Sequence, residues 1–277
     1  MMRKVLVILA LMLAVNATYL NVNEPVMAKG MNDGGSLYIG IAAPGQTVYV
    51  VAERATIDAA GENINYMGWD KLAVEGLPPG WSGEDSPLYE TPMKAKIRIA
   101  PNAADGRYVF RVKAVDEGNY DGLGELTINV SVVVSKEVFN IDVTPLTVET
   151  GVGQPGVYYI EIENMGAASD TFKIKSSGVP AWRFTKDVFV PHATDPSLPA
   201  KKLVPYEVVL NEQSEVDVYL NVTSLSSEQI SKEMRVRLIA KPSLISDYRA
   251  TGHGLLVFPL VESPVYSLIA FFSKLLL

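Results

Sequence analysis

The sequence predicts an all-β protein built from two tandem antiparallel β-sandwiches, and three observations support that fold class. Short runs of alternating apolar and polar residues recur along the chain, as in SLYIGIA (36–42) and ELTINVSVVV (125–134). Gly, Pro, Asn and Asp bound these runs at the spacing typical of sandwich strands and turns. The length of 277 residues and the hydrophobic content of 48% suit two domains that each bury a core.

The first 17 residues have the layout of a secretory signal peptide. Arg3 and Lys4 precede the apolar run 5–15, and small residues follow at a cleavage point near Ala17. The run is shorter than the about 20 residues that span a membrane, and an uncleaved anchor is the alternative interpretation. We therefore expect export, removal of segment 1–17 and an N-terminal linker over 18–29.

Segment 263–277 predicts a short hydrophobic helix. Pro264 suits the first turn of a helix, and the residues after it are almost all apolar. A helix over 264–277 would reach about 21 Å, less than the about 30 Å of a hydrocarbon core. It either packs on its own domain or docks into a membrane or a partner protein, and an apolar surface on most sides favours docking. The docking residues are Leu268, Ile269, Phe271, Phe272, Leu275 and Leu276.

A Pro-Gly turn followed by tryptophan occurs twice. GLPPGW (76–81) aligns with GVPAW (178–182), which indicates an internal repeat. A single exposed tryptophan on such a turn could bind a ligand. Because the turn recurs, we predict instead that Trp81 and Trp182 are large anchors that pack into the two sandwiches.

The strands after these turns give the domain boundaries. AKIRIAP (95–101) is aligned with EVDVYLNV (215–222), and GLLVFPLV (254–261) becomes the last strand of the second copy. This alignment predicts one sandwich over 30–137 and another over 138–262.

The turns and strands of both copies carry a family resemblance. In the second copy, Asn164-Met165-Gly166 forms a turn between two alternating runs, and the later GVPAW lacks only a glycine before Trp182. In the first copy, LPPGW and IAPNAADGRYVFRVKA (99–114) fit the same pattern, whereas residues 54–70 depart from it. These segments resemble the immunoglobulin-like repeats of archaeal and bacterial cell-surface proteins, in particular the NEW3, or α-galactosidase-associated, type. The resemblance covers roughly residues 36–262 and implies immunoglobulin-like sandwiches in a non-catalytic surface module.

The composition restricts the chemistry. The absence of cysteine excludes a thiol nucleophile, a thiolate metal site and a disulfide framework. A net charge of −7 argues against a nucleic-acid partner. His192 and His253 lie in turn sequences without paired-ligand spacing, and no GxSxG motif is present. We therefore expect no catalytic residues, and a hydrolase with an unrecognised site is the weakest hypothesis.

The segment DEGNYDGLGE (116–125) is the candidate metal site. Asp116, Asp121 and Glu125 could supply the several oxygens that Ca²⁺ requires. The Asp-Gly pair also suits a hairpin turn for backbone reasons alone. Calcium is the one cofactor that the sequence raises, and a hairpin turn without metal is the interpretation that the sequence favours.

Two further sets of residues are candidate surface features. Asn129 and Asn221 begin N-glycosylation sequons, and the alternation of their strands places both on outer faces, with chance occurrence as the alternative. Tyrosines expected to face partly outward could stack on sugars or form an interface, although cross-strand packing is the favoured interpretation. They are Tyr158, Tyr159, Tyr206 and Tyr219.

These observations predict an exported, non-catalytic structural or adhesion protein at the cell surface or the outer face of the cytoplasmic membrane. It would serve as a spacer or an assembly subunit, tethered through segment 263–277 to the membrane or to a surface protein. The alternative is a carbohydrate-binding accessory module.

Overall fold

A computed structural model describes residues 18–57, 63–178, 185–195, 198–227 and 229–242, without the side chains of 56–57 and 63–66. The described residues form nineteen strands and one short 3₁₀ turn, Glu117–Asn119. The signal peptide, the hydrophobic tail, Trp182, His253 and the 254–261 run lie outside the described residues. No helix in the described ranges is long and apolar enough to span a membrane.

Two groups of strands form two sandwiches. The first comprises β1 Leu20–Glu24, β2 Ala28–Met31, β3 Ser36–Ala42, β4 Thr47–Ala52, β5 Ala55–Ile57, β6 Asn63–Gly68, β7 Lys71–Glu75, β8 Ser82–Glu84, β9 Met93–Arg98, β10 Gly106–Val115 and β11 Glu125–Val134. The second comprises β12 Phe139–Thr144, β13 Thr147–Gly151, β14 Pro155–Asn164, β15 Asp170–Ser177, β16 Thr185–Val190, β17 Ala200–Val209, β18 Ser214–Ser224 and β19 Ser231–Lys241.

The two sandwiches follow one strand plan. The sheets of the first have the orders β2-β1-β4-β9-β8 and β3-β11-β10-β7, and β5 and β6 form a separate hairpin. The sheets of the second have the orders β12-β14-β17 and β13-β19-β18-β15-β16. The pairings between these strands are antiparallel except that β3 runs parallel to β11 and β13 runs parallel to β19. This is the immunoglobulin-like arrangement, and the all-β fold class predicted from the sequence is confirmed.

The residue alternation explains the two cores. On β11, Leu126, Ile128 and Val130 point inward and are at most 1% exposed, and on β18, Leu220 and Val222 are fully buried. Period-2 alternation places every second side chain on one face of a strand, where the facing sheet removes it from water. The inner faces predicted from the sequence are therefore the faces that form the cores.

The largest buried side chain of the first sandwich is one that the sequence analysis did not single out. Trp69 follows β6, is fully buried, and lies in the core with Leu72. Trp81 is partly buried against the same core, with ring centroids 5.3 Å from Tyr108 and 6.3 Å from Phe110. Trp81 is thus an anchor at the margin of the core, as predicted, whereas the central anchor is Trp69.

The two Pro-Gly turn sequences begin at equivalent positions in the two sandwiches. GLPPGW follows β7 and GVPAW begins after β15, and these strands occupy the same position beside β10 and β18. Gly76 and Gly178 both have positive φ, at 64° and 86°. A Cβ on Gly178 would lie 2.5 Å from the Asp217 carbonyl oxygen, and glycine is therefore required there.

The predicted strand alignment after these turns is wrong by one strand. In the first sandwich β9 pairs with β4, and in the second β17 pairs with β14, which makes β17 the equivalent of β9. The run 215–222 lies in β18, which is the equivalent of β10. The alternation of β17 contains Pro205, which hid the strand from the sequence analysis. Proline is tolerated there because β17 lies at the edge of its sheet.

The expected N-terminal linker is also wrong. Residues 20–24 form β1, which pairs with β4, and residues 28–31 form β2 at the sheet edge. Leu20 and Val22 are fully buried in the first core. Their burial makes this segment part of the first sandwich, which begins before residue 30.

Candidate functional sites

The acidic turn 116–125 connects β10 to β11, and its predicted calcium ligands have other partners. Asp116 is buried, and its Oδ2 accepts hydrogen bonds from the backbone N–H groups of Asp121 at 3.1 Å and Leu123 at 3.0 Å. Asp121 Oδ2 accepts a hydrogen bond from Gly68 N at 2.9 Å. Glu125 Oε2 lies 3.2 Å from Lys113 Nζ.

The three carboxylates therefore do not converge on one point. Asp116 orders the turn itself, Asp121 ties it to the end of β6, and Glu125 faces the outer surface of the sheet. No group of three or more His, Asp or Glu residues within the described ranges could hold a metal ion. This geometry is that of a turn stabilised by hydrogen bonds to the backbone, which was the alternative to a calcium site in the sequence analysis.

The same turn forms one wall of an open groove on the outer face of the first sandwich. The groove has a volume of about 550 Å³, and its floor is formed by β7, β10 and β11. Pairing across the sheet places Lys113 between Ala73 and Thr127, and Val115 between Lys71 and Glu125. Because the Ala73 side chain is small, the floor of the groove has a depression between the longer charged side chains beside it.

Ion pairs surround this floor. Lys71 Nζ lies 2.9 Å from Glu117 Oε2, and Lys113 Nζ lies 2.7 Å from Glu75 Oε1 and 3.2 Å from Glu125 Oε2. The hydrogen bonds that Lys71 and Lys113 donate to these carboxylates raise the pKa of both lysines, and the bond from Lys113 lowers the pKa of Glu75. The pKa shifts of Lys71, Lys113 and Glu75 all favour the charged form of the group.

The sequons lie on outer faces of central strands. Asn129 on β11 is partly exposed, and its Nδ2 donates to the Gly34 carbonyl at 3.3 Å. Asn221 on β18 is partly exposed, and its Oδ1 accepts a hydrogen bond from Thr223 Oγ1 at 2.6 Å. The Asn129 bond uses Nδ2, the atom to which a glycan would be attached, whereas the Asn221 bond uses Oδ1.

The four tyrosines expected to face partly outward divide into two pairs. Tyr159 and Tyr219 are 48% and 38% exposed, as expected. Tyr158 and Tyr206 are 0% and 2% exposed, and for these two the prediction is wrong. Tyr158 donates its hydroxyl hydrogen to the Arg237 carbonyl at 2.8 Å, which allows the ring to enter the core with its polar atom satisfied.

Because of the Tyr158 phenol, we expect the stability of the second sandwich to fall at alkaline pH. Burial raises its pKa to about 12, above the about 10 of an unfolded chain. Between these pH values the unfolded chain releases the Tyr158 proton more readily than the folded chain. The contribution of Tyr158 to the free energy of unfolding is therefore complete below pH 10 and is lost as pH rises toward 12. We expect unfolding in urea at pH 9, 10 and 11 to show stability falling by up to about 1.4 kcal/mol per pH unit.

The Tyr158→Phe variant is the control for this dependence. It should be less stable than the wild type by about 1 kcal/mol at pH 8, because the Arg237 carbonyl loses its donor. Its stability should fall less steeply above pH 10, with a residual slope from Tyr206, whose pKa burial also raises. Equal slopes for wild type and variant would contradict the assignment.

His192, which the sequence places in a turn, is packed at the edge of the second sandwich. Its Nδ1 lies 3.0 Å from Ser169 Oγ, and its backbone N–H donates to the same oxygen at 2.9 Å. Its Nε2 is buried and has no hydrogen-bond partner among the described residues. The Ser169 hydroxyl is thus shared between the ring and the backbone of His192, which fixes the loop after β16.

The junction between the sandwiches was not found by sequence reasoning. Asp170, at the start of β15, is 3% exposed and forms no ion pair with a described residue. Its Oδ2 accepts hydrogen bonds from Gln46 Nε2 at 2.8 Å and Ser224 Oγ at 2.6 Å, and its Oδ1 accepts from Ser226 Oγ and Thr171 N, both at 2.7 Å. Gln46 belongs to the first sandwich and is fully buried.

Backbone and apolar contacts reinforce this junction. Ala167 N donates to the Ile41 carbonyl at 2.7 Å, and Ile41 also forms a parallel bridge with Gly166. Ala167 and Ala168 belong to the first core although they lie in the second sandwich, and Ala43 of the first sandwich belongs to the second core. Each sandwich therefore covers part of the other, which joins the two cores.

No family model matches this chain, and no curated protein matches it. Among solved structures, a chimeric titin Z1Z2 carrying a KLER peptide from decorin is 12% identical with a TM-score of 0.34, over 83% of this chain and all of that one. The CARDB domain of a Pyrococcus furiosus protein is 12% identical with a TM-score of 0.24, over 36% of this chain and 87% of that one. A Listeria innocua β-glucosidase is 14% identical with a TM-score of 0.27, over 38% of this chain.

The match spans only 16% of the β-glucosidase's own length. These likenesses are too weak to carry an argument about ligand or activity. The fold follows from the strand pairing of this chain alone.

Proposed function

We propose that this protein is an exported, non-catalytic structural or adhesion protein in which two joined sandwiches act as a spacer or an assembly subunit. The hydrophobic segment 263–277 would tether it to the outer face of the cytoplasmic membrane or to a surface protein. The carbohydrate partner considered for the accessory-module alternative is not needed for this role, and the net charge of −7 argues against nucleic acid as a partner.

The observation that carries the proposal is the junction at Asp170. A spacer has to hold its domains in one orientation, and domains joined only by a flexible linker move relative to each other. Here only residues 135–138 separate β11 from β12, and a buried hydrogen bond joins Gln46 to Asp170 across the junction. A buried carboxylate with four donors is stable only where those donors are held in place.

The resemblance to cell-surface repeats supports the same role. The two turn sequences that carry the resemblance both begin with a glycine of positive φ, Gly76 and Gly178, in equivalent positions after β7 and β15. The proposal assigns no chemistry to the candidate calcium ligands, because these carboxylates stabilise the fold. Asp116 orders a turn, and Glu125 pairs with Lys113.

The tether is tested by deleting residues 264–277. We expect the deletion to move the protein from the membrane fraction to the soluble fraction, because burial of apolar side chains contributes about 0.8 kcal/mol per CH₂ group. The measurement is fractionation of cells that express the full chain, with salt and carbonate washes to remove loosely bound protein.

Two matched variants separate hydrophobic docking from an effect of length. Replacing Phe271 and Phe272 together with serine keeps the length and should release the protein as the deletion does. Ser267→Ala should leave the distribution unchanged. If the deleted protein still sediments with membranes, the proposed tether is wrong.

A further inference from the structure

A ligand site beyond the spacer role lies in the groove on β7, β10 and β11. We propose that this groove binds a neutral oligosaccharide, with the Tyr120 ring stacking on one sugar and the side chains of Glu75, Asn119 and Glu125 bonding its hydroxyls. The volume of about 550 Å³ lies within the about 300–1,000 Å³ typical of small-molecule sites. The proposal does not depend on the membrane tether or on the rigidity of the junction.

The charges of the groove favour a neutral ligand. Both lysines that line it are already paired, Lys71 with Glu117 and Lys113 with Glu75 and Glu125. An anionic ligand would have to separate one of these pairs in a groove that has more carboxylates than ammonium groups, and a cationic ligand would compete with the two lysines for the same carboxylates. A hydroxyl can donate to a remaining carboxylate lone pair without separating it, because an ionised carboxylate has about four acceptor positions.

An exposed aromatic ring next to the lining residues Gly118 and Asn119 favours a sugar among neutral ligands. Tyr120 is 88% exposed, the largest exposed fraction among the large hydrophobic and tyrosine side chains of the described residues. Its ring lies over Gly118, which lines the groove, and a Cβ on Gly118 would come 2.7 Å from the ring Cε2. Glycine at 118 thus leaves room for the ring beside the groove, where an aromatic face can contact the C–H face of a pyranose.

The polar groups beside this ring are held in place. Asn119 Oδ1 accepts a hydrogen bond from Gly124 N at 2.9 Å, and its Nδ2 forms no hydrogen bond with a described residue. Glu125 is fixed by Lys113, which Glu75 also holds from the other side. Groups that are fixed before binding lose little conformational entropy when a ligand arrives, which favours binding of a flexible polyol.

The experiment uses the full chain in detergent on an array of neutral and charged oligosaccharides, followed by calorimetry with the neutral glycan that is retained best. We expect neutral glycans to be retained, Tyr120→Ala to weaken binding at least tenfold, and Glu125→Gln to weaken it about threefold. Tyr159→Ala, which removes a half-exposed tyrosine from the second sandwich, should leave binding unchanged. Because Tyr120 is almost fully exposed, its variant should melt within about 1 °C of the wild type.

Three outcomes would overturn the proposal. They are no retention of any neutral glycan, neutral-glycan binding that survives Tyr120→Ala, and retention only of charged glycans. A further arm with polylysine covers a cationic polypeptide, and binding of polylysine that Tyr120→Ala abolishes would assign the groove to such a partner instead. Deletion of residues 264–277 should not change glycan affinity, and each proposal can therefore fail without the other.

Discussion

The Trp69→Ala variant is expected to lose about 3–5 kcal/mol of unfolding free energy, the largest loss for any single truncation in the first sandwich. Trp69 is fully buried, and its indole N–H donates to the Tyr19 carbonyl at 3.4 Å. Alanine would leave a cavity in the core. Leu72 and the other core side chains cannot move in to fill it, because backbone hydrogen bonds hold both sheets in place. Urea unfolding followed by circular dichroism measures the loss.

Trp81→Ala provides the matched control within the same core. Because Trp81 is only partly removed from water, we expect its truncation to cost about 2 kcal/mol. The difference between the two variants then measures the effect of burial for one residue type. If Trp81→Ala costs as much as Trp69→Ala, the assignment of Trp69 as the central anchor is wrong.

The Asp170→Ala variant is expected to lose about 3 kcal/mol or more and to loosen the junction between the sandwiches. The substitution leaves Gln46 Nε2, Ser224 Oγ and Thr171 N without their buried acceptor, and each unsatisfied donor costs about 1–3 kcal/mol. The native chain has no cysteine, and cysteines introduced at Ser82 and Asp187 would provide unique labelling sites. Distances between spin labels at these sites should spread over a wider range in the variant.

Asp217→Ala is the control for the charge change. Asp217 is an exposed partner of Arg235 on the second sandwich, and its loss should cost less than about 1 kcal/mol and leave the distance distribution unchanged. A double-mutant cycle of Asp170→Ala with Gln46→Ala isolates the part of the energy that crosses the junction. Additive effects of the two substitutions, with a distance distribution like that of the wild type, would refute the rigid junction.

The groove illustrates how far the sequence predicts a site. The acidic turn 116–125 was visible in the sequence, and two of its predicted residues, Asp116 and Glu125, do line the groove. Their partners were not visible, because Lys71 and Glu75 come from β7, which pairs with β10 only in the folded sheet. Carboxylates that looked like free metal ligands in the sequence acquire backbone N–H and ammonium partners once the strands are in register.

The sequence by itself determined the all-β class, the inner faces of strands such as β11 and β18, and the repeated turn at Gly76 and Gly178. These features follow from local rules, since alternation and positive φ depend on residues close together in the chain. The tertiary structure alone decided that β17 rather than β18 corresponds to β9, that Trp69 is the central anchor, and that Gln46 meets Asp170. Such contacts join residues far apart in sequence, 124 positions for Gln46 and Asp170, and depend on which sheet each strand enters. Alternation indicates which face of a strand is buried, whereas the pairing of sheets decides what that face is buried against.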